Sequence, residues 1–198
     1  MAGTGLRIIG GAARGRRLLA PKGRTTRPVT GRVRSAVFNI LGPSVASAAV
    51  LDLFAGSGAM GLEALSRGAD RCVFVERNRA ALEALERNIA ALSVAERTRA
   101  EPGDALRVDP ARWRGPFDLV FVDPPYALAD RVDEASSIGG LMSNLFGGRL
   151  LNRPAQVVVR TPAASGPLWV PSGAEIVDAR TYGADAVRFV APRPAGTT

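Results

Sequence analysis

A glycine-rich segment that follows an apolar run could bind a nucleotide-containing cofactor. Residues 50–61 read Val-Leu-Asp-Leu-Phe-Ala-Gly-Ser-Gly-Ala-Met-Gly, in which Gly56, Gly58 and Gly61 match the pattern Gly-x-Gly-x-x-Gly. Glu76 lies twenty residues beyond Gly56, the spacing at which dinucleotide-binding proteins carry the acid that binds the ribose. Taken alone, this pattern predicts an NAD-dependent oxidoreductase.

A carboxylate within the same segment favours a different ligand. Asp52 lies in the predicted strand just before the glycines, where its charge would repel a pyrophosphate and attract a cation. S-adenosylmethionine (SAM) carries a sulfonium and an ammonium group, and it needs the close backbone approach that Gly56 and Gly58 permit. The sequence Asp-Leu-Phe-Ala-Gly-Ser-Gly at 52–58 resembles motif I of class I SAM-dependent methyltransferases.

Two further acids follow the next predicted strands. Glu76 lies in Phe-Val-Glu-Arg at 74–77, where it is placed to accept hydrogen bonds from both ribose hydroxyls. Asp104, in Gly-Asp-Ala-Leu, is similar to the acid that binds the adenine amino group in this class of enzyme. Three acids in order at three successive strand ends favour SAM over NAD. The predicted cofactor-binding residues are Asp52, Phe54, Ala55, Gly56, Ser57, Gly58, Glu76, Arg77, Asp104 and Ala105.

The tetrad Asp123-Pro124-Pro125-Tyr126 follows a fourth, strongly apolar predicted strand. It therefore lies at the carboxyl edge of the sheet, where ligands of open α/β folds bind. By itself the tetrad fits a proline-stiffened loop with Tyr126 packed on the core. Because the glycine-rich segment precedes it, the tetrad resembles the Asp/Asn-Pro-Pro-Tyr/Phe signature of methyltransferases that act on exocyclic amino groups of bases.

This resemblance implies that Asp123, Pro124, Pro125 and Tyr126 are catalytic. The amino group of a base is a poor nucleophile because its lone pair is delocalised into the ring. Hydrogen bonds from the amine to the Asp123 carboxylate and the Pro124 carbonyl would hold it in line with the sulfonium methyl. Tyr126 would stack on a base that has left its neighbours. Histidine is not needed, since Asp123 or water can take the proton from the methylated nitrogen.

Alternating strands and helices must position both motifs. Strands are predicted at 50–54, 71–75, just before Gly103, 117–122 and 156–160, with a terminal hairpin of 176–182 and 186–190. Helices are predicted before Gly68 and around Leu82 to Leu92, and 139–146 is an ambiguous helix. This alternation predicts a parallel sheet with right-handed crossovers. With the resemblance, it implies an α/β, Rossmann-like class I methyltransferase fold, whose mostly parallel seven-stranded sheet ends in an antiparallel hairpin.

The first quarter of the chain carries the whole excess of positive charge. The net charge is +8, and residues 1–51 hold nine basic residues and no acid, whereas the remainder holds 17 basic and 18 acidic residues. Such a distribution is typical of a basic module that contacts nucleic acid, although a solvated basic surface would show the same composition. A β-hairpin over 6–19 with glycines at its turn, and a helix capped by Thr30, are predicted there. The predicted RNA-binding residues are Arg7, Arg14, Arg16, Arg17, Lys22, Arg24, Arg27, Arg32 and Arg34.

The composition excludes several other kinds of site. With 198 residues, 46% of them apolar, the chain fits one globular unit. It contains one cysteine, Cys72, and no histidine, which excludes an intramolecular disulfide and a Ser-His-Asp triad, and no metal is expected. The first residues lack the apolar region of a signal peptide, and no apolar run suits a membrane span, so we expect a cytoplasmic protein with no membrane contact. The predicted regions are a basic hairpin and helix at 1–45, a methyltransferase domain at 46–191 and a frayed tail at 192–198.

Segments along nearly the whole chain resemble a single family. They are Arg-Ile-Ile-Gly-Gly from Arg7, Arg-Gly-Arg-Arg-Leu from Arg14, Thr26-Arg-Pro, residues 32–41, the two motifs and Tyr182-Gly183. Together they resemble the RsmD family of bacterial 16S rRNA guanine-N2 methyltransferases. The resemblance implies that the substrate is a guanine of 16S rRNA, within the 30S subunit or a late assembly intermediate. We expect the enzyme to be a monomer.

The chain departs from the family pattern at a few positions, and three other functions stay open. Val29 and Gly31 differ near the helix cap, residues 136–152 match poorly, and the fifth strand ends in Arg160 where an acid is frequent. Because the tetrad does not separate guanine from adenine, an adenine-N6 methyltransferase acting on DNA or RNA is the first alternative. The others are an NAD-dependent oxidoreductase and a non-catalytic RNA-binding protein.

Overall fold

A seven-stranded sheet forms the centre of the molecule. The structure, a computed structural model, describes residues 5–21, 30–107, 110–129 and 132–194. The strands are β1 Ala49–Leu53, β2 Arg71–Glu76, β3 Thr98–Pro102, β4 Phe117–Val122, β5 Leu151–Pro162, β6 Ala174–Tyr182 and β7 Asp185–Pro192. The helices are α1 Gly31–Leu41, α2 Ala59–Ser66, α3 Arg79–Leu92, α4 Tyr126–Ala129 and α5 Ser137–Gly147.

The strand order places both sequence motifs at one crevice. The order is β3-β2-β1-β4-β5-β7-β6, in which β1 to β5 pair in parallel and β7 is antiparallel to both β5 and β6. The predicted mostly parallel sheet with its antiparallel terminal hairpin is confirmed. Because β1 has β2 on one side and β4 on the other, the order reverses there and opens a crevice at the carboxyl ends of β1 and β4. The glycine-rich loop and the tetrad follow these two strands directly.

Helices cover both faces of the sheet, which explains the nearly continuous apolar strands. Phe38, Leu62 and Leu85 from α1, α2 and α3 belong to one buried cluster. Met142 from α5 and Trp113 belong to the second cluster. A strand that is covered on both faces needs apolar residues at successive positions, and all five residues of β1 are buried.

The predicted N-terminal β-hairpin is shorter than expected. It consists of one antiparallel bridge between Arg7 and Arg17 with flanking backbone hydrogen bonds. Its turn lies at residues 12–15 rather than at the glycine pair. Gly11 has a φ of +74° and lies against the backbone of Ser66, where a Cβ would clash with the carbonyl. This glycine therefore permits close packing on α2, and its carbonyl accepts the Arg14 amide at 3.2 Å where the turn begins.

The predicted helix cap is confirmed, and two later elements are longer than predicted. The Thr30 side chain accepts a hydrogen bond of 3.4 Å from the Val33 amide, and Gly42 is the C-cap that follows α1. The ambiguous helix at 139–146 is α5, which begins at Ser137 and is capped by the Ser136 hydroxyl. β5 is longer because its first residues continue the pairing with β4 beyond a bulge.

Some predictions concern residues outside the described ranges. Lys22, Arg24 and Arg27 lie outside them, as do residues 195–198 of the predicted tail. Over the ranges that are described, no helix is long and apolar enough to cross a membrane. In the same ranges, His, Cys, Asp and Glu side chains form no group of three that could hold a metal ion. The division at residues 45 and 191 stays a prediction.

Candidate active site

The loop between β1 and α2 adopts a conformation that requires glycine. Gly56 and Gly58 have φ values of +56° and +85°, a region that residues with a Cβ rarely adopt. Backbone hydrogen bonds hold the loop: the Ala55 amide donates to Val75 at 3.1 Å, and the Gly58 amide donates to Ala55 at 2.8 Å. No described atom lies within 4 Å of the place that a Cβ of Gly56 would take. Open space therefore borders the loop at Gly56.

The second and third glycines of the pattern permit close packing. A Cβ at Gly58 would clash with Leu85 of α3. A Cβ at Gly61 would clash with Phe74 and Cys72 of β2. Glycine at these positions thus lets α2 and its preceding loop approach the neighbouring helix and strand, as the third glycine does in nucleotide-binding folds.

The Asp52 carboxylate is buried beneath the loop. It is 1% exposed and accepts a hydrogen bond of 2.8 Å from the Gly61 amide in the first turn of α2. Burial raises the pKa of Asp52 well above its ordinary value, although the hydrogen bond from Gly61 opposes the shift. The side chain thus bonds the start of α2, and the attraction of Asp52 for a cationic ligand stays a prediction.

Glu76 lies at the end of β2, beside the glycine-rich loop. Its Oε2 accepts a hydrogen bond of 2.7 Å from the Gly56 amide, and its Oε1 accepts one of 2.7 Å from the Asn78 amide. The side chain is half-buried. Glu76 thus presents a fixed carboxylate at the open side of the loop, in the place predicted for the acceptor of the ribose hydroxyls.

Arg77 follows β2, Asp104 follows β3, and the two side chains contact each other. Asp104 Oδ1 accepts a hydrogen bond of 3.1 Å from the Leu106 amide, and Oδ2 accepts one of 3.2 Å from Arg77 Nη1. The Arg77 side chain is more than half exposed. Next to Asp104, Ala105 is buried in the apolar cluster below. The structure thus brings the acid at the end of β2 and the acid after β3 to one sheet edge.

Phe54 and Ser57, two further predicted residues of the loop, have different roles in its conformation. Phe54 has a φ of +60°, which turns the chain out of β1. Ser57 is buried, and its carbonyl accepts a hydrogen bond of 3.0 Å from Asn88 Nδ2 of α3. Asn88 was not among the predicted site residues, and its helical position gave no chemical signal. The loop therefore depends on a side chain from another element.

The tetrad begins at the strand end next to the glycine-rich loop. Leu53 of β1 pairs with Val122 of β4, so the two motifs leave neighbouring strands at the same level. Pro124 is buried and Asp123 is mostly buried. Tyr126, the first residue of α4, is half-buried.

Two charged residues from other strands contact the tetrad. Arg160 of β5 donates from Nε to Asp123 Oδ1 at 2.5 Å and from Nη1 to Asp185 Oδ1 at 2.7 Å. The Tyr126 hydroxyl donates to the same Asp185 oxygen at 2.5 Å. Arg160 Cζ lies 5.4 Å from the centroid of the Tyr126 ring. We name Asp123, Tyr126, Arg160 and Asp185 the tetrad network.

The two added residues of the tetrad network could be found only through topology. The sequence pattern of 183–185 predicts a hairpin turn, but Asp185 is the first residue of β7. Because β7 runs antiparallel to β5, its first residue lies at the carboxyl edge of the parallel strands, where it pairs with Pro162. An acid is frequent at this position in the family, whereas this chain has Arg160. Its guanidinium bonds both Asp123 and Asp185.

Burial and charge act in opposite directions on the tetrad network. Burial raises the pKa of Asp123, the Arg160 guanidinium lowers it, and the Asp185 carboxylate raises it again, with a net upward shift. For Arg160, burial lowers the pKa while the two carboxylates raise it, and the net shift is upward. Arg160 therefore stays charged, and it is the group that favours an ionised Asp123.

Most of the predicted RNA-binding arginines that are described lie on the surface. Exposed members are Arg7, Arg14, Arg16, Arg17 and Arg32. Arg34 is the exception, since it is 1% exposed and cannot reach an RNA backbone. Its Nη2 donates to the Arg7 carbonyl, and its Nε lies 3.6 Å from Glu63 Oε2. The prediction for Arg34 is therefore wrong: its side chain anchors the N-terminal segment.

Glu63 of α2 is the main partner of this anchor. It is fully buried and accepts hydrogen bonds from the Ile9 and Gly10 amides at 2.7 and 2.8 Å. It also accepts one of 2.8 Å from Arg67 Nε. The helix that follows the glycine-rich loop thus holds the basic N-terminal segment.

Comparisons with known proteins identify a family over nearly the whole chain and relatives over more than half of it. A family model described as conserved hypothetical protein 95 matches residues 6–191. Ribosomal RNA small subunit methyltransferase D of Escherichia coli strain K12 is 45% identical over 121 residues, which are 61% of this chain and 60% of that protein. YlbH of Bacillus subtilis, named as a candidate rRNA methyltransferase, is 39% identical over 137 residues, which are 65% of this chain and 74% of YlbH.

Solved structures are similar over a larger part of the chain. The yhhF protein of Escherichia coli, described as a candidate methyltransferase, is 34% identical with a TM-score of 0.78, and the match covers 94% of this chain and 97% of that one. A candidate methylase from Haemophilus influenzae is 28% identical with a TM-score of 0.73, over 94% of this chain and 98% of its own. The predicted Rossmann-like class I methyltransferase fold is confirmed.

Proposed function

Because this chain belongs to the RsmD family, we propose that it is a SAM-dependent methyltransferase that modifies the N2 amine of a guanine in 16S rRNA. The names of its relatives support an rRNA substrate of the small subunit. The alignment spans only 60% of the length of the Escherichia coli protein. We therefore assign its substrate to this chain as a proposal. We infer that it acts in the cytoplasm, as a monomer, on the 30S subunit or a late assembly intermediate.

The adjacency of the two motifs is the observation that carries this proposal. The Asp123 amide lies 3.5 Å from the carbonyl of Leu53, the residue after which the chain turns into the glycine-rich loop. A cofactor at the loop and a base at the tetrad would therefore be neighbours. Such proximity is what a direct transfer between two bound molecules requires.

The residues at the loop fit SAM. Open space at Gly56 would accept a ligand close to the backbone, and Glu76 and Asp104 offer carboxylates there. Glu76 would accept hydrogen bonds from the ribose, and Asp104 would accept one from the adenine amine. When bound, SAM supplies a methyl group on a positively charged sulfur. A carboxylate-rich edge favours such a cation.

The tetrad would prepare the amine of the base. The Asp123 carboxylate and the Pro124 carbonyl would each accept a hydrogen bond from the amino group, which fixes its lone pair in the direction of transfer. Tyr126 would stack on the base, while Pro125 restricts the backbone between these groups. After the nitrogen has formed its bond to carbon, its proton would pass to Asp123 or to water.

The exposed arginines of the N-terminal segment would bind the RNA backbone. Arg14, Arg16 and Arg17 lie in the turn and second arm of the short hairpin. Arg16 also donates to the Ala91 carbonyl of α3 at 2.6 Å, which ties this surface to the cofactor-binding part. The charge would attract phosphates without reading the base sequence.

The proposal is tested by incubating the protein with labelled SAM and either 30S subunits or duplex DNA, followed by nucleoside analysis. We expect N2-methylguanosine from 30S subunits only. N6-methyladenosine as the sole product would replace the proposal by the adenine alternative. Titration calorimetry with SAM and NAD tests the oxidoreductase alternative, because binding of NAD without SAM would contradict a methyltransferase.

A variant of the tetrad separates chemistry from cofactor binding. We expect Asp123→Ala to abolish transfer while the affinity for SAM changes by no more than a few-fold. Asp70→Ala is the matched control, since Asp70 is an exposed acid in the loop before β2, at the opposite edge of the sheet. Equal loss of transfer and SAM binding in Asp123→Ala would place Asp123 in the cofactor site or the core.

A further inference from the structure

We propose that Arg160 and Asp185 are positioning residues of the tetrad, which keep Asp123 ionised and fix the Tyr126 ring for the base. This inference rests on the proposed function, because it concerns how the same site holds its amine. Neither residue belongs to the tetrad pattern, and each reaches the tetrad from a different strand. The supporting observations are the contacts, the burial and the balance of charge around Asp123.

The contacts leave little freedom to the side chains of the tetrad network. One guanidinium bonds two carboxylates through two different nitrogens, Nε to Asp123 and Nη1 to Asp185. The planar guanidinium has its donors in a fixed arrangement, so it sets the distance between the two acids. Asp185 also accepts from the Tyr126 hydroxyl, which fixes where the hydroxyl end of the ring lies. The orientation of Tyr126 thus depends on β7.

Burial makes these contacts stronger than surface ion pairs. The side chains of Arg160 and Asp185 are each 9% exposed, and that of Asp123 is 19% exposed. Exposed ion pairs contribute little to stability, whereas an unpaired charge in a buried site is costly. The position of Arg160 between the two acids is therefore favoured, because leaving it would expose unpaired buried charges.

The charged groups around Asp123 make Arg160 the only nearby cation among the described residues. β5 supplies Arg160, β7 supplies Asp185, and β1 supplies the buried Asp52, whose charge also interacts with Asp123. From α4, Tyr126 adds a neutral hydroxyl. The α1 side chains that line the cavity beside Asp123 are apolar, namely Val33 and Val37. Without Arg160, Asp123 and Asp185 would be two carboxylates in a partly buried region that have lost the cation bonding both.

This charge balance matters for the proposed reaction because only an ionised Asp123 accepts freely from an amine. Arg160 contacts Oδ1, so we assign Oδ2 to the amino group of the base. During transfer, the nitrogen forms a bond to the methyl carbon, the carbon–sulfur bond breaks and its electron pair stays on sulfur. The nitrogen then loses one proton to Asp123 or water. A protonated Asp123 could neither orient the amine in this way nor take that proton.

Two substitutions in the tetrad network, which change the charge near Asp123 in opposite directions, test the proposal. In Arg160→Gln, loss of the cation should raise the pKa of Asp123, and in Asp185→Asn, loss of an acid should lower it. We expect shifts of about one pH unit or more in the first variant. The carboxyl carbon of Asp123, followed by ¹³C NMR in the free protein and assigned with Asp123→Asn, reads this pKa without any turnover. The acid limb of the pH profile of kcat should move in the same two directions.

Matched controls separate positioning from folding. Arg149→Gln removes an exposed arginine just before β5 and should change neither the NMR titration nor the pH profile. Arg160→Lys should keep the Asp123 pKa closer to that of the wild type, but it should lower kcat because lysine cannot bond both acids in the fixed geometry of arginine. Affinity for SAM, measured by calorimetry, should stay within about threefold in every variant.

The outcomes distinguish this inference from the proposed function. An Asp123 pKa that is the same in Arg160→Gln, Asp185→Asn and the wild type would overturn the inference, whatever the substrate. If Arg160→Gln does not fold, Asp185→Asn still has to show its downward shift. If the wild type transfers no methyl group to rRNA while the two variants show their opposite NMR shifts, the proposed function alone would be contradicted. Loss of kcat that is equal at all pH values, with no NMR shift, would indicate a merely structural role.

Discussion

Asn88 Nδ2 on α3 donates a hydrogen bond of 3.0 Å to the carbonyl of Ser57 in the glycine-rich loop. The same amide group bonds the N-terminal segment: Nδ2 donates to the Leu19 carbonyl at 3.0 Å, and Oδ1 accepts from the Leu19 amide at 2.7 Å. Asn88 is 1% exposed. One buried side chain thus satisfies backbone groups of both the basic segment and the predicted cofactor loop.

Asn88→Ala should destabilise the protein because it removes every one of these bonds. Leaving buried polar groups without partners costs about 1–3 kcal/mol in the free energy of unfolding, which urea denaturation measures. Asn39→Ala, at an exposed position of α1, is the control and should change the free energy by less than about 0.5 kcal/mol. Equal effects of the two substitutions would show that the contacts of Asn88 are not stabilising.

Gly61→Ala should destabilise the contact between α2 and β2. Its Cβ would clash with Phe74 and Cys72, and such overpacking costs about 1–3 kcal/mol. Gly140→Ala is the matched control, because Gly140 is an exposed residue of α5 with nothing near its Cβ position. There alanine should stabilise the helix by up to about 1 kcal/mol. Thermal unfolding that shows the same sign for both variants would contradict this packing argument.

Asp52→Asn should change how stability depends on pH. Burial raises the pKa of Asp52 in the folded protein well above 3.8, so the folded state binds this proton more tightly than the unfolded state does. The contribution of Asp52 is therefore most favourable at low pH and is lost as the pH rises through the raised pKa. Asparagine retains an acceptor for the Gly61 amide and has no charge.

The measurement is the free energy of unfolding of Asp52→Asn minus that of the wild type. This difference should increase as the pH rises above 3.8 towards the raised pKa of the folded state, because only the wild type has to ionise the buried group. Taking the difference cancels the titration of groups that the variants share. A difference that stays constant or falls with pH would show that the Asp52 carboxylate is not destabilised by burial.

The arginines of the N-terminal region should differ in what their replacement changes. Replacing exposed ones should weaken RNA binding, and replacing the buried one should lower stability. Replacing Arg14, Arg16 and Arg17 together by glutamine should weaken RNA binding and flatten its dependence on salt, by about 0.7 in the logarithmic slope for each lost phosphate contact. The stability of the fold should change little, since these side chains are exposed. An unchanged slope, measured by filter binding at several salt concentrations, would place the RNA contact elsewhere.

Arg34→Gln should have the opposite effect. Its side chain is buried beside Glu63, so its loss should lower the free energy of unfolding by about 1–3 kcal/mol. The salt dependence of RNA binding by the folded fraction should stay as in the wild type. A flatter slope with unchanged stability would restore Arg34 to the RNA-binding residues.

Local sequence patterns predicted most of the fold because the relevant signals lie within short segments. The continuous apolar run of β4 is required by a strand that is covered on both faces, and Thr30 is a side chain that can cap a helix by itself. The glycines of the loop and the tetrad are likewise neighbours in the chain. Alternation of such segments is sufficient to predict a parallel sheet and the edge at which both motifs lie.

Only the tertiary structure decided which charged residues face solvent and which hold the site together. Arg32 and Arg34 are the same residue type and lie two positions apart in the first turn of α1. Arg34 is nevertheless buried against α2, whereas Arg32 is exposed. Asp52 has the sequence of a ligand-binding acid but bonds Gly61 beneath the loop. Arg160 and Asp185 meet the tetrad because strand order brings β5 and β7 beside β4. The physical reason is that residue type determines what a side chain can bond, whereas burial and partners depend on contacts between segments far apart in the chain.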